Sequence, residues 1–358
     1  MKQLLFCLLL VGVVGCAQKE DANTGVIKPK LPSPKSLFTA GTGGRSEDAV
    51  LALPTTGRLA FHSYTAYDLD DTGKRHLDSR IHICDFPADL PRRLPEIERH
   101  VRHAMNPIFS ADGARMTFMA LPLGPEYDAD WPIGFDVFVY DFRTEVLTNV
   151  SKRAGLGRSA DEDPIFSATA DAVYFKRDRA DIWQINLTSF QATAVTTDGK
   201  SREESGPRIS PDGQWLAYWH GGGKTADVYR MPLRGGKAEL LAGVPGVQEM
   251  FPVYLDNDRL AYTRWTDADR HDDEVIILNL RTGKHQPAAF NSTNGANDSD
   301  PFAIRGLVGF SSDRRENGKG GWDLYLGDPN VSEPIQLRKL STTRHDLGGT
   351  YTPHVVNP

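Results

Sequence analysis

The sequence predicts an all-β chain, a β-propeller of six four-stranded sheets around one axis, and three observations lead there. A two-strand signature with a tight turn recurs in six ordered copies. Its spacing of about 40–50 residues is the length of one blade. Each copy is followed by an alternating apolar strand, opened in five of the six by an acidic residue. The best-kept copy runs Pro207-Arg-Ile-Ser-Pro-Asp-Gly-Gln-Trp-Leu-Ala-Tyr-Trp219. There Pro211 sets φ for the first corner of the turn, Asp212 can hydrogen-bond its local backbone, and Gly213 supplies a conformation that a β-carbon would oppose. The run from Gln214 to Tyr218 then has strand composition.

Taken in order, residues 1–15 read as a signal peptide: Lys2, an apolar run from Leu4 to Val14, then Gly15 before Cys16. That run is short for a bilayer span, which argues against a permanent transmembrane helix. The ending Val13-Val-Gly-Cys16 resembles a bacterial lipobox, which implies cleavage before Cys16 and lipidation of its sulfur. Ala17 next to the cysteine resembles the sorting signal for the outer membrane, where several acyl chains would anchor a soluble domain. From Ala17 to about Arg45 the chain is polar and carries Pro29, Pro32, Pro34 and a late glycine cluster, so it reads as a flexible lipidated tether over 16–45. Losing Cys7 with the signal and committing Cys16 leaves Cys84 alone, expected as a small buried side chain in an alternating strand.

The propeller is expected over 46–358. Its first copy is Ala49–Leu53 with Gly57–Phe61, lacking the leading proline. The others begin at Pro107, Pro164, Pro207, Pro252 and Pro301, paired with second strands at Arg115–Phe118, Ala172–Phe175, Gln214–Trp219, Arg259–Tyr262 and Leu307–Phe310. A bare first-strand remnant, Pro353-His-Val-Val356, is expected to close the ring against residues near 59–86. Third strands are read at Arg80–Asp85, Asp136–Asp141, Asp181–Asn186, Asp227–Met231, Glu274–Asn279 and Asp323–Leu326. One or two helical turns are read at Pro95–Ala104.

The form Pro-x-x-Ser-Pro-Asp-Gly-x-x-Leu-Ala-Tyr resembles the TolB-type, or PD40, propeller repeat over roughly residues 45–358. The resemblance implies a six-bladed β-propeller, in agreement with the copies counted above. The α/β domain that precedes the propeller in TolB proteins, and the hydrolase domain that follows it in related peptidases, are both expected to be absent.

Candidate site residues follow from propeller geometry, which brings the loop entering the innermost strand and the loop leaving the second strand to one channel mouth. The first set reads Glu47, Asp48, His103, Asn106, Asp161 to Asp163, Glu203, Glu204, Glu249, Asp298 and Asp300. The second reads His62, Met119, Lys176, Arg177, Trp219, His220, Arg264, Trp265, Arg314 and Arg315. Acceptors beside cations and tryptophans suit an oligosaccharide, whose hydroxyls need both and whose rings stack on indole; alternatively the cations pair with the acids internally. The acid-rich loops 68–71, 267–273 and 294–300 could hold Ca²⁺ through oxygen ligands, none with EF-hand spacing. His100 and His103 would share one helix face and could hold a divalent metal.

No Gly-x-Ser-x-Gly, His-Glu-x-x-His, phosphate-binding glycine loop or Cys-x-x-Cys occurs. Loss of Lys2 takes the formal net charge from −6 to −7, and no basic tract follows it, which speaks against nucleic acid as a partner. The expectation is a lipid-anchored, non-enzymatic envelope protein that binds a glycan or protein at the channel mouth. The alternatives are a carbohydrate-active propeller resembling oligogalacturonate lyases, with His220 or His62 moving the proton on an acidic oligosaccharide, and an envelope assembly scaffold.

Overall fold

The structure is a computed structural model. It describes residues 53–64, 78–87, 90–124, 134–197, 203–222, 225–265, 272–314, 321–338, 340, 342 and 344–356. The chain divides into two units, Met1–Val50 and Leu51–Pro358, and every described residue lies in the second. The segments read as a signal peptide and a tether, Cys16, Glu47, Asp48, most of the strand read at Ala49–Leu53, Arg315, the loop at 68–71 and most of the loop at 267–273 lie outside the described residues.

Strands β1 (Arg58–Tyr64), β2 (Arg80–Asp85) and β3 (Arg92–Arg93) open the second unit. Helix α1 (Pro95–Glu98) leads to β4 (Val101–Phe109), β5 (Arg115–Pro122), β6 (Asp136–Asp141) and β7 (Val146–Asn149). Helix α2 (Val150–Arg153) leads to β8 (Asp161–Phe166), β9 (Ala172–Arg177), β10 (Asp181–Asn186) and β11 (Ala192–Ala194). Then come β12 (Glu203–Ile209), β13 (Trp215–Gly222), β14 (Thr225–Pro232), β15 (Glu239–Ala242), and β16 (Gln248–Tyr254), β17 (Arg259–Trp265), β18 (Asp273–Asn279), β19 (Lys284–Pro287). The last are β20 (Asp298–Ile304), β21 (Leu307–Ser312), β22 (Asp323–Gly327), β23 (Ile335–Gln336) and β24 (His345–Thr352).

Four sheets are four-stranded: β24-β1-β2-β3, β4 to β7, β8 to β11 and β20 to β23. The fifth has eight strands, β15 branching off β14, and joins the units β12 to β15 and β16 to β19 through one parallel pair, Ala226 with Gln248. The innermost strands touch in the cyclic order β24, β4, β8, β12, β16, β20 and back to β24, a propeller-like ring of sheets. Each neighbouring pair of units shares its own apolar core. The first and second units, for example, bury Ala60, Ile81 and Ile83 against Met116, Phe118 and Phe138, while Leu59, Phe61 and Cys84 meet Phe302, Ile304 and Leu324 where the ring closes. Successive residues of one strand, such as Leu59 and Ala60 or Leu216 and Ala217, thus point into different cores, because side chains alternate faces and both faces are covered.

The innermost strands begin three to six residues before their prolines, at Val101, Asp161, Glu203, Gln248 and Asp298, and not at the prolines themselves. The reason is a β-bulge just where the proline sits. In each copy the register against the second strand shifts there, and the residue before the proline has positive φ: Asn106 at 51°, Asp163 at 53°, Gly206 at 60°, Phe251 at 53° and Asp300 at 49°. A proline without N–H costs no ladder bond at a bulge, and Asn, Asp and Gly tolerate the left-handed region best.

The ring does close through its terminal strands, but the closing strand is β24, upstream of Pro353-His-Val-Val356, which forms no strand. Gly348 (φ 52°) and Gly349 occupy the bulge in place of the residue-proline pair. A β-carbon on Gly349 would lie 2.5 Å from the Phe302 ring, so the tightest packing at the seam selects glycine and hides the copy from a proline-based count. Helix α1 also ends earlier than read. His100 is exposed beyond it and His103 lies in β4 with φ 54°, so the two histidines do not share a helix face.

The turn reading holds. Ser210 Oγ donates to Asp212 Oδ1 at 2.5 Å, Gly213 N donates to Ser210 O at 2.8 Å, and Gly213 has φ 70°.

Candidate ligand-binding channel

The acids read as loop residues stand inside the first half of the innermost strands, where several tie down the segment that enters the strand. Glu249 Oε2 accepts from Val244 N at 3.2 Å, Asp298 Oδ2 from Ser292 N at 2.7 Å, and Asp346 Oδ2 from Thr342 N at 2.7 Å. All three are buried. A carboxylate here satisfies a backbone donor that would otherwise be stranded in a tight connection.

The cations of the second strands sit against these acids. Lys176 Nζ lies 2.5 Å from Glu162 and 2.7 Å from Glu203. Arg177 donates to Asp161 Oδ1 at 2.6 Å and to Gly157 O at 2.8 Å. Arg264 places two nitrogens on Glu249 Oε1, at 2.9 and 2.6 Å, and reaches the Tyr262 hydroxyl at 2.9 Å. Arg314 donates to Asp298 Oδ1 at 2.6 Å and to Phe290 O at 3.0 Å. Each of these cations is therefore neutralised by carboxylates of its own unit, Lys176 also by Glu203 of the next, instead of meeting the others at a common mouth. Trp219 and Trp265 are buried and show little ring surface to a ligand. Glu204 is buried opposite His220 in the β12–β13 register, and His220 lies 5.8 Å from the Tyr229 ring. Met119 is buried and pairs with Met105.

A different set meets at the centre. The bulge puts Asn106, Asp163, Phe251 and Asp300 at the same position of four units, and each remains partly exposed. Asn106 Nδ2 donates to Asp163 Oδ1 at 2.7 Å and Ser205 Oγ donates to Asp163 Oδ2 at 3.0 Å, so one carboxylate ties three consecutive units. Arg208 reaches in from the fourth unit, and the charges of Asp163 and Asp300 both act on it against the burial that lowers its pKa. Burial pushes Asp300 up to about 6, with Arg208 opposing and Asp163 adding. His62 is buried beside the bulge of β24. Burial, assisted by His82 and opposed by Asp163, takes it down to about 4, so its imidazole is neutral at pH 7. Its Nδ1 has no hydrogen-bond partner among the described residues.

The centre therefore combines the carboxylate of Asp300, the already engaged carboxylate of Asp163, one guanidinium and, buried beside them, one neutral imidazole, a set suited to a ligand bearing hydroxyls or a cationic group. Asp163, Asp300 and His62 were legible as candidates. Arg208 was not singled out, although the signal was there: it follows Pro207 where the other copies have Ile108, Ile165, Val253 and Phe302. No group of three His, Cys, Asp or Glu side chains placed to hold a metal occurs among the described residues.

No family model matches the chain. No curated protein matches it either. Solved structures do. TolB from Acinetobacter baumannii aligns with a TM-score of 0.60 at 15% identity, covering 82% of this chain and 66% of that one. Hydrazine synthase from Kuenenia stuttgartiensis aligns at 0.62 and 9% identity, covering 85% and 48%. An oligogalacturonate lyase from Vibrio parahaemolyticus aligns at 0.50 and 12% identity, covering 79% and 73%. The chain spans less than two thirds of the first two, and at these identities the likeness is one of fold.

Proposed function

We propose that this chain is a six-bladed propeller of TolB type, held at the outer membrane of a bacterial envelope by a lipid on Cys16, and that it acts by binding a glycan or protein partner at the mouth of its channel. The observation that carries the binding role is the bulge repeated around the ring. It turns the side chains of Asn106, Asp163 and Asp300 from separate units toward one axis, where Arg208 and His62 join them. Because Lys176, Arg177, Arg264 and Arg314 are already held by carboxylates, the acceptors of the channel favour a partner that donates, through hydroxyls, an ammonium or a guanidinium. The anchor rests on the Val-Val-Gly-Cys16 sequence.

The test has two arms. A photo-crosslinking side chain at position 251 should capture a partner in intact cells, or calorimetry against a panel of acidic and amino-bearing oligosaccharides should show binding that Asp163→Asn weakens roughly tenfold. Neither a crosslink nor heat from any oligosaccharide would refute the channel as the binding site. For the anchor, Cys16→Ser should move the protein out of the detergent phase, and continued partitioning would remove that part of the proposal.

A second function has one observation in its favour. His62 is neutral at pH 7 with Nδ1 unengaged, which supports reading it as the proton acceptor of a lyase acting on an acidic oligosaccharide. Release of unsaturated products from oligogalacturonate, lost in His62→Gln, would establish it.

A further inference from the structure

A second site lies at the other end of the fourth unit, where the turn from β12 to β13 meets the turn after β14. Asp212, Gly213, Gln214, Trp215, Pro232 and Arg234 line a cleft there of about 530 Å³. That volume is within the range of small-molecule clefts, about 300–1,000 Å³.

Two departures from the repeat build it. The first residue of the second strand is arginine in three other units, and each is occupied: Arg58 pairs with Asp85, Arg115 donates to Ala170 O, and Arg259 pairs with Asp256. In the fourth unit that residue is Trp215, partly exposed, with one face covered by the Arg230 guanidinium 4.2 Å from the ring centroid and its surface bordering the cleft. The third strands of neighbouring units end on Asp141, Asn186 or Asn279, whose side chains accept the backbone N–H groups of the following turn. Here the strand ends on Pro232, and the turn is held instead by Gly235 N donating to Pro232 O at 2.9 Å. The result is a cleft wall of pyrrolidine and of the part of the indole left exposed beside the core it packs on, where other units carry a charged side chain and an Asx turn.

Of the polar groups around that surface, the Asp212 carboxyl is fixed by the turn, while the side chains of Gln214 and Arg234 are exposed. Asp212 Oδ1 accepts from Ser210 Oγ and from Gln214 N, which keep the carboxyl below its usual range, and Asp212 N donates to Asn257 Oδ1 at 3.1 Å, locking the turn to the fifth unit. Among the described residues Asp212 Oδ2, the Gln214 amide and the Arg234 guanidinium have no hydrogen-bond partner. One carboxylate and one guanidinium leave the lining without net charge. An aromatic face flanked by both an acceptor and donors fits a group that donates and accepts at once while offering C–H surface, which is the chemistry of a sugar ring.

We propose that this cleft binds an uncharged saccharide, stacked on Trp215, with hydroxyls on Asp212, Gln214 and Arg234. It is separate from the channel and does not depend on it. Titration calorimetry and tryptophan fluorescence with maltopentaose, cellopentaose and chitopentaose test it on the full chain. At least one should bind, Trp215→Ala should abolish binding, and Arg234→Ala and Gln214→Ala, both at exposed positions, should each weaken it about tenfold. Asp163→Asn and Asp300→Asn in the channel should leave this binding unchanged. No binding by any of the three, unaltered binding in both Arg234→Ala and Gln214→Ala, or loss of binding in the channel variants would overturn the assignment.

Discussion

Truncation of Arg264 to alanine tests whether the cations at the ends of the second strands serve the fold or a ligand. Arg264 is 4% exposed and Glu249 0% exposed. Removing the guanidinium strips Glu249 Oε1 of two charge-assisted donors, at 2.9 and 2.6 Å, and leaves it the Tyr262 hydroxyl at 3.2 Å. Oε2 keeps Val244 N at 3.2 Å. Breaking such a buried pair from one side costs about 3–5 kcal/mol, since the remaining charge cannot be rehydrated. For a domain of this size that is a fall in melting temperature on the order of 10 °C. Arg264→Met with Glu249→Gln, which removes both charges and keeps volume, should recover much of the loss. Urea unfolding of the wild type, Arg264→Ala and the double variant measures it. If Arg264→Ala alone changes stability by less than about 0.5 kcal/mol, the pair is not the structural element its geometry indicates, and a ligand role for the guanidinium returns.

Three further outcomes concern the seam and the channel. Removing residues 345–358 takes away β24 and leaves β1 with an unpaired edge and the Phe302 ring uncovered; it should abolish cooperative unfolding followed by circular dichroism, and a sharp transition near the wild-type midpoint would argue against closure by this strand. His62 has a folded pKa of about 4 against an ordinary 6.5, so the stability it contributes is complete above about 6.5 and is lost as pH falls through 4. His62→Gln should therefore reduce the loss of stability between pH 7 and pH 4 by on the order of 3 kcal/mol, and parallel pH profiles for variant and wild type would show that His62 is not held neutral. Asp300 has the opposite sign, its pKa raised to about 6, so Asp300→Asn should gain on the wild type at pH 7 and not at pH 4.

Local sequence was enough to establish the all-β class, the strand pairs, the Ser-Pro-Asp-Gly turn, the burial of Cys84 and the need for the termini to pair, because each of these is written in neighbouring residues: alternation, a proline before a glycine, an acid before an apolar run. It also marked Asp163, Asp300 and His62 as channel candidates. Tertiary structure alone decided the rest. The closing strand is His345–Thr352 because Gly349 must pass the Phe302 ring, a contact between chain segments far apart that no turn motif near Pro353 encodes. The arginines and Lys176 were visible as charges, but whether a charge faces a ligand or a carboxylate depends on strand register, and a bulge of one residue moves Glu162 opposite Lys176 and Glu249 opposite Arg264. Arg208 acquires its place for the same reason: only ring closure brings Asp163 of the third unit and Asp300 of the sixth within electrostatic reach of one side chain.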